Sequence, residues 1–176
     1  MRVRRATVRW LDGSRYEGAN DLGLPVGFQG PPRPDESRTQ PSPKDLVLIG
    51  LGGCTAVDVV EILHKMRQPL GSLRIDLECQ ESQEHPKVFT RVHLTYRLEG
   101  HGLDPERAVH AVRLSQEKYC GVSAMIARSG AVITYAVEVN GSRVYEGTHP
   151  ASPAPGAAAA AGAPEAPASG GAPGRA

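Results

Sequence analysis

Three cysteines punctuate this chain, and two of them, Cys54 and Cys120, stand where a thiol could do chemistry. Cys54 follows Gly50, Gly52 and Gly53 inside a long apolar run, and Cys120 precedes Gly121 at the end of a helical pattern. Each glycine costs about 1 kcal/mol against alanine in a helix interior. Such a cluster implies that a strand, a second helix or a ligand approaches the backbone closely there. A thiol beside that bare patch is a candidate redox nucleophile. The competing reading is a small residue packed among small residues, since free cysteine is among the most buried types. The thiolate is the reactive form, and a neighbouring positive charge favours it. Cys54 lies too deep in its helix for the terminal dipole to serve, because that effect fades within the first turn. A cation must therefore arrive from elsewhere, and Arg15 and Arg38 are the candidates. No CxxC or CxxH spacing is present, so a zinc site has no local support. Cys79 alternates with the core face of a strand and reads as packing, while His64, His93 and His110 are scattered. Asp58 and Glu61, beyond Cys54 on the same helix, could meet Arg or Lys across a dimer interface and read as members of structural ion pairs. Tyr119 reads as packing, with donation to a substrate oxygen as the alternative.

The segment that must position Cys54 runs from Pro41 to Pro69. Ser42 is an N-cap, Pro43 takes the first helical position and Asp45 completes an acidic capping box. A helix apolar on every face has to be covered on every face, so this one is central. Its charged C-terminal end argues against a membrane span. Ahead of it, Arg2–Trp10 and Ser14–Gly18 read as a hairpin turned at Asp12-Gly13, with Ala6, Val8 and Trp10 on a half-buried face. Leu22–Phe28 is a third strand confined to an edge by Pro25. Gly30–Gln40 is loop. After the helix, Leu73, Ile75, Leu77 and Cys79 alternate with polar residues, as do Val92, Leu94, Tyr96 and Leu98, which predicts an antiparallel hairpin. Asp104-Pro105 opens a helix through about Lys118. Ser123–Arg128 is a short helix, and Val132–Val139 is the last strand. Strands and helices do not alternate strictly, which predicts an α+β domain with antiparallel sheet. Residues 1–146 form that domain, and the Ala/Pro/Gly-rich residues 147–176 read as a disordered tail.

Twenty Lys and Arg against nineteen Asp and Glu leave a net charge of +1, so no bulk field calls for nucleic acid or an anionic membrane. The basic start MRVRRATVRW lacks an apolar signal region. An odd number of widely spaced cysteines does not read as a secreted disulfide framework, and a reducing cytoplasm is the expected compartment. One small domain has little surface to spare for a fully apolar helix, so a partner subunit is expected to cover it.

The opening Pro43-Lys44-Asp45-Leu46, Cys54 eleven residues after Pro43, and Lys118-Tyr119-Cys120 ahead of a short helix and a final strand together resemble the OsmC/Ohr family. These are stress-induced thiol peroxidases acting on organic hydroperoxides, and the GGC-signature OsmC-like proteins are the most similar branch. The resemblance implies antiparallel sheets wrapped around a long central helix in an intertwined homodimer, with active sites across the subunit interface. It implies that Cys54 attacks the distal peroxide oxygen and becomes a sulfenic acid. Cys120 then condenses with it to a disulfide, which an external dithiol, such as a lipoyl-type one, reduces; no bound cofactor is implied. Family peroxidases carry Glu directly after the helix-opening proline to orient the activating arginine. Here Lys44 holds that position and Asp45 follows, so Asp45 is the candidate orienting residue and Arg15 the candidate activator. Lys44 could instead present its own cation to the thiolate.

Overall fold

The computed structural model describes residues 3–153. Strands β1 (Ala6–Asp12), β2 (Arg15–Asn20) and β3 (Pro25–Gln29) form one antiparallel sheet in sequential order. Helix α1 (Pro43–Lys65) follows. Strands β4 (Ser72–Glu81), β5 (Phe89–Glu99), β6 (Val132–Val139) and β7 (Ser142–Thr148) form the second sheet, also in sequential order. Between β5 and β6 run α2 (Pro105–Leu114), a π-helical turn (Ser115–Tyr119) and α3 (Gly121–Arg128).

The capping box is complete on both sides: the Asp45 amide donates to Ser42 Oγ and the Ser42 amide donates to Asp45 Oδ2. Along α1, Leu51, Thr55, Val59 and Leu63 recur every four residues and are buried, a single stripe of the helix surface. That stripe faces the second sheet, α2, α3 and the π turn. The core around it is built from Val92, Leu94, Tyr96 and Leu98 of β5 and Ile133, Tyr135 and Val137 of β6. Tyr96 and Tyr135 meet edge to face with ring centroids 6.4 Å apart.

Several expectations change on folding. Among the described residues the other side of α1 is bare: Val47, Ile49 and Val57 are exposed, and a Cβ on Gly50 or Gly53 would meet no described residue within 4 Å. Only Gly52 has a close neighbour, Leu77 of β4. By length and composition α1 could cross a membrane, yet its buried stripe makes it the core helix of an α+β domain. Strand β1 has no buried face, and Val8 and Trp10 are both 62% exposed, because none of the described residues packs over that strand of the three-stranded sheet. The sheet is fastened to the rest through buried Gln29. Its side chain donates to Ser14 Oγ and accepts from the Thr39 amide, while its own amide donates to the Pro41 carbonyl.

The second sheet is mixed rather than antiparallel, since β5 and β6 pair in parallel. The two helices between them carry the chain back to the starting end, the crossover that parallel pairing requires. The second helical segment also departs from a plain α-helix. It loosens into the π turn after Leu114 and stops at Cys120. Finally, β6 is not the last strand. Asn140 and Gly141 both have positive φ, 49° and 81°, and turn the chain into β7 as an Asn-Gly hairpin. Ordered structure continues past residue 146 to a buried His149, whose amide donates to the Ile133 carbonyl. The remainder of the tail, 154–176, lies outside the described residues.

Candidate redox site

Helix α1 and the N-terminus of α3 carry the two cysteines toward each other. Cys54 is half-buried and Cys120 is buried, and both are free thiols. Their Sγ atoms and a carboxylate oxygen of Asp58 all lie within 4.8 Å of one another. Asp58 follows Cys54 by one helical turn, so both side chains project from one face of α1. Cys120 is the N-cap of α3, and its sulfur accepts from the Ser123 amide at 3.4 Å and from Ser123 Oγ at 3.1 Å. Burial pushes the Cys120 thiol up to about 11, against those two hydrogen bonds, which lower it; the adjoining Cys54 raises it further. Burial likewise raises the Cys79 thiol, in keeping with its packing role.

Beneath the sulfurs runs a buried polar chain. One assignment of donors satisfies every hydroxyl in it. Gln116 Nε2 donates to Tyr96 Oη at 2.6 Å, and Tyr96 Oη donates to Thr55 Oγ1 at 2.7 Å. Thr55 Oγ1 donates to Ser115 Oγ at 2.8 Å, and Ser115 Oγ donates to Asp58 Oδ2 at 2.9 Å. The chain stitches the middle of α1 to β5 and to the π turn, fixing the turn that delivers Cys120. It ends on the carboxylate beside the thiols. Burial also drives the Tyr96 phenol upward, so it stays a donor.

Two openings flank the site. A cleft of about 350 Å³ is lined by Lys118, Cys120, Arg128 and His149 among others. A groove of about 510 Å³ runs from Asp58 past Ile62, Met66, Leu114 and Tyr119.

The sequence-derived residues divide sharply. Cys54 and Cys120 come together, whereas the three charged candidates are each engaged elsewhere in the chain. Arg15 pairs with Asp12 on the outer sheet. Lys44 Nζ meets Glu81 Oε2 at 2.7 Å, tying the first turn of α1 to the end of β4. Asp45 caps the helix; the Ser42 hydrogen bonds hold its carboxyl below the usual range, with a smaller contribution from Arg38. Arg38 also reaches the Gln29 carbonyl. Within its own chain Asp58 accepts from the Ser115 hydroxyl. Its spacing of four from Cys54 was the available signal. Thr55, Ser115 and Gln116 had none beyond being polar residues at inward positions, and His149 fell in what read as tail.

A sequence model of the family described as OsmC-like protein matches residues 34–136, more than half the chain. This chain belongs to the OsmC-like family. A relative in Escherichia coli K12, Protein YhfA, is 34% identical over 135 residues, covering 77% of this chain and 97% of its own. A hypothetical protein of Aquifex aeolicus VF5 superposes with a TM-score of 0.69 at 27% identity, covering 80% of this chain and 98% of its own. An organic hydroperoxide resistance protein from Elizabethkingia anophelis, solved with thiocyanate bound, shares the fold at a TM-score of 0.61 and 17% identity, with 80% and 98% covered. The OsmC-like fold is thus established over the described domain, and some of its structural neighbours carry hydroperoxide-resistance names.

Proposed function

We propose that this OsmC-like protein is a thiol peroxidase that reduces organic hydroperoxides. The observation that carries the reading is the approach of the Cys54 and Cys120 sulfurs to each other, with Asp58 beside both. The Cys54 thiolate attacks the distal oxygen of ROOH. The O–O bond breaks, the alkoxide takes up the proton that the thiol gave to solvent and leaves as ROH, and Cys54 holds a sulfenic acid. Cys120 sulfur then attacks the Cys54 sulfur, giving a disulfide and water. Because the buried Cys120 is a weak acid, its proton needs an acceptor as it attacks, and the Asp58 carboxylate is within reach. A dithiol of the lipoyl type reduces the disulfide and is itself oxidised, which closes the cycle. In the Asp58 groove Ile62, Met66 and Leu114 stand among Glu61, Lys65 and His110, and the first three offer an apolar strip to the substituent on the peroxide.

The working unit in this reading is a homodimer in the cytoplasm. Its partner chain covers the bare face of α1 and β1 and brings a cation to Cys54, with Arg15, Arg38 and Lys44 as candidates. A second reading has one observation in its favour: within a single chain Arg15 and Lys44 are already paired with Asp12 and Glu81. Under it the same dimer binds a small apolar ligand or senses redox state without turnover. One equivalent of cumene hydroperoxide, and separately of hydrogen peroxide, added to reduced protein separates the two. Loss of two thiols within seconds, mapped as Cys54–Cys120 and faster with the organic peroxide, supports the enzyme. Thiols that persist for minutes refute it.

A further inference from the structure

We propose that the reduced protein is also a metal-binding protein. In this state Cys54 Sγ, Cys120 Sγ and an Asp58 carboxylate oxygen hold one zinc-like divalent cation and leave a fourth position open. The inference goes beyond the peroxidase reading and does not rest on it.

Three donor atoms of the types zinc prefers, two sulfurs and a carboxylate oxygen, converge within 4.8 Å of one another. Around a tetrahedral ion with bonds of about 2.0–2.3 Å, such donors stand roughly 3.3–3.8 Å apart. Small side-chain rotations close the difference. Two of the three donors are already oriented by groups that are not ligands. Ser115 Oγ donates to Asp58 Oδ2, and Ser123 donates from both its amide and its hydroxyl to Cys120 Sγ. Such outer contacts fix ligand geometry in built metal sites. Cys54 and Asp58 sit one turn apart on α1, the helical spacing that lets two side chains share an ion. Cys54 is only half-buried, so the fourth position opens toward solvent. No local sequence motif announces the site because its third ligand comes from α3.

Binding displaces a proton from each thiol to solvent and involves no electron transfer. The bound ion occupies both sulfurs, so metal and disulfide are mutually exclusive states of the same pair. A disulfide between the two sulfurs leaves no thiolate for the ion, and the bound ion shields the dithiol.

The test is a titration of reduced, metal-free protein with zinc chloride against a chromophoric chelator, without peroxide. One equivalent per chain is expected. C54S, C120S and D58N should each weaken binding by more than the roughly 10- to 100-fold typical of losing an outer partner. S115A should fall within that range, and C79S should leave affinity unchanged. Cobalt(II) in the unmutated protein should give thiolate-to-metal charge-transfer absorption, which needs no variant to fold. Absence of stoichiometric binding, affinity untouched by D58N or C120S, or cobalt spectra without thiolate bands would each overturn the proposal. Thiols inert to peroxide combined with tight zinc binding would sink the peroxidase reading and leave this one standing.

Discussion

Thr55→Val isolates what the buried polar chain contributes. The substitution nearly keeps the volume of a fully buried side chain and replaces the hydroxyl in the middle of the relay by a methyl group. Tyr96 Oη then has no acceptor for its proton, and Ser115 Oγ loses its donor, because their 2.7 Å and 2.8 Å contacts both end on Thr55 Oγ1. Stranding a buried donor costs about 1–3 kcal/mol, and a lost acceptor contact adds about 0.5–1 kcal/mol. The expected loss is about 3 kcal/mol, or roughly 1.5 M in urea midpoint for an m-value of about 2 kcal/mol/M. Thr55→Ser keeps the relay and loses one methyl, for about 1 kcal/mol. The assay is urea unfolding followed by far-UV circular dichroism at one fixed protein concentration, since assembly contributes to apparent stability. Adding Tyr96→Phe to Thr55→Val should cost less than the two single losses summed, because the second change removes the group that the first stranded. A Thr55→Val midpoint no lower than that of Thr55→Ser would refute the relay as drawn.

Other perturbations reach the site and the assembly separately. Cys120→Ser should still lose its Cys54 thiol to an organic hydroperoxide but accumulate a sulfenic acid, detected by dimedone labelling and intact mass; Cys54→Ser should do neither. Val57→Asp puts a charge on the bare face of α1. If a second chain covers that face, dimerisation measured by analytical ultracentrifugation should weaken at least about 100-fold, since an unpaired buried charge costs about 3–5 kcal/mol. A variant that sediments as the unmutated protein does would show the face to be free. His149 is held neutral by burial, with Arg128 lowering it further. Its Nδ1 accepts from the Ala151 amide, a contact that protonation there abolishes. The folded state therefore binds fewer protons than the unfolded one, so stability should be intact above the unfolded value and fall as pH drops below about 6.5. His149→Gln should flatten that part of the stability–pH curve, and an unchanged slope would count against the assignment.

Local signals carried far into this structure. Ser42-Pro43 with Asp45 announced the start of α1, and the capping box formed as read. Alternation marked β4 and β5, and Asp104-Pro105 opened α2. What escaped depended on remote partners. Strand β7 is polar and exposed along most of its length, so it lacked alternation, and only its Asn-Gly turn betrayed it. The parallel pairing of β5 with β6 is a property of the crossover, not of either strand. Within the site, both cysteines were legible from type and setting. Thr55 and Ser115 were not, because each is explained only by the other, far along the chain.

The π turn at Ser115–Tyr119 has a genetic consequence. A π turn is in effect an α-helix with one residue too many. Losing a single codon within it would let α2 run on as a regular helix. The same deletion would rotate the rest of the turn by about 100° around the helix axis and draw the Cys120 sulfur away from Cys54. One in-frame deletion would therefore break up the thiol pair, and its rotation would have to be absorbed before β6 reaches its place beside β5.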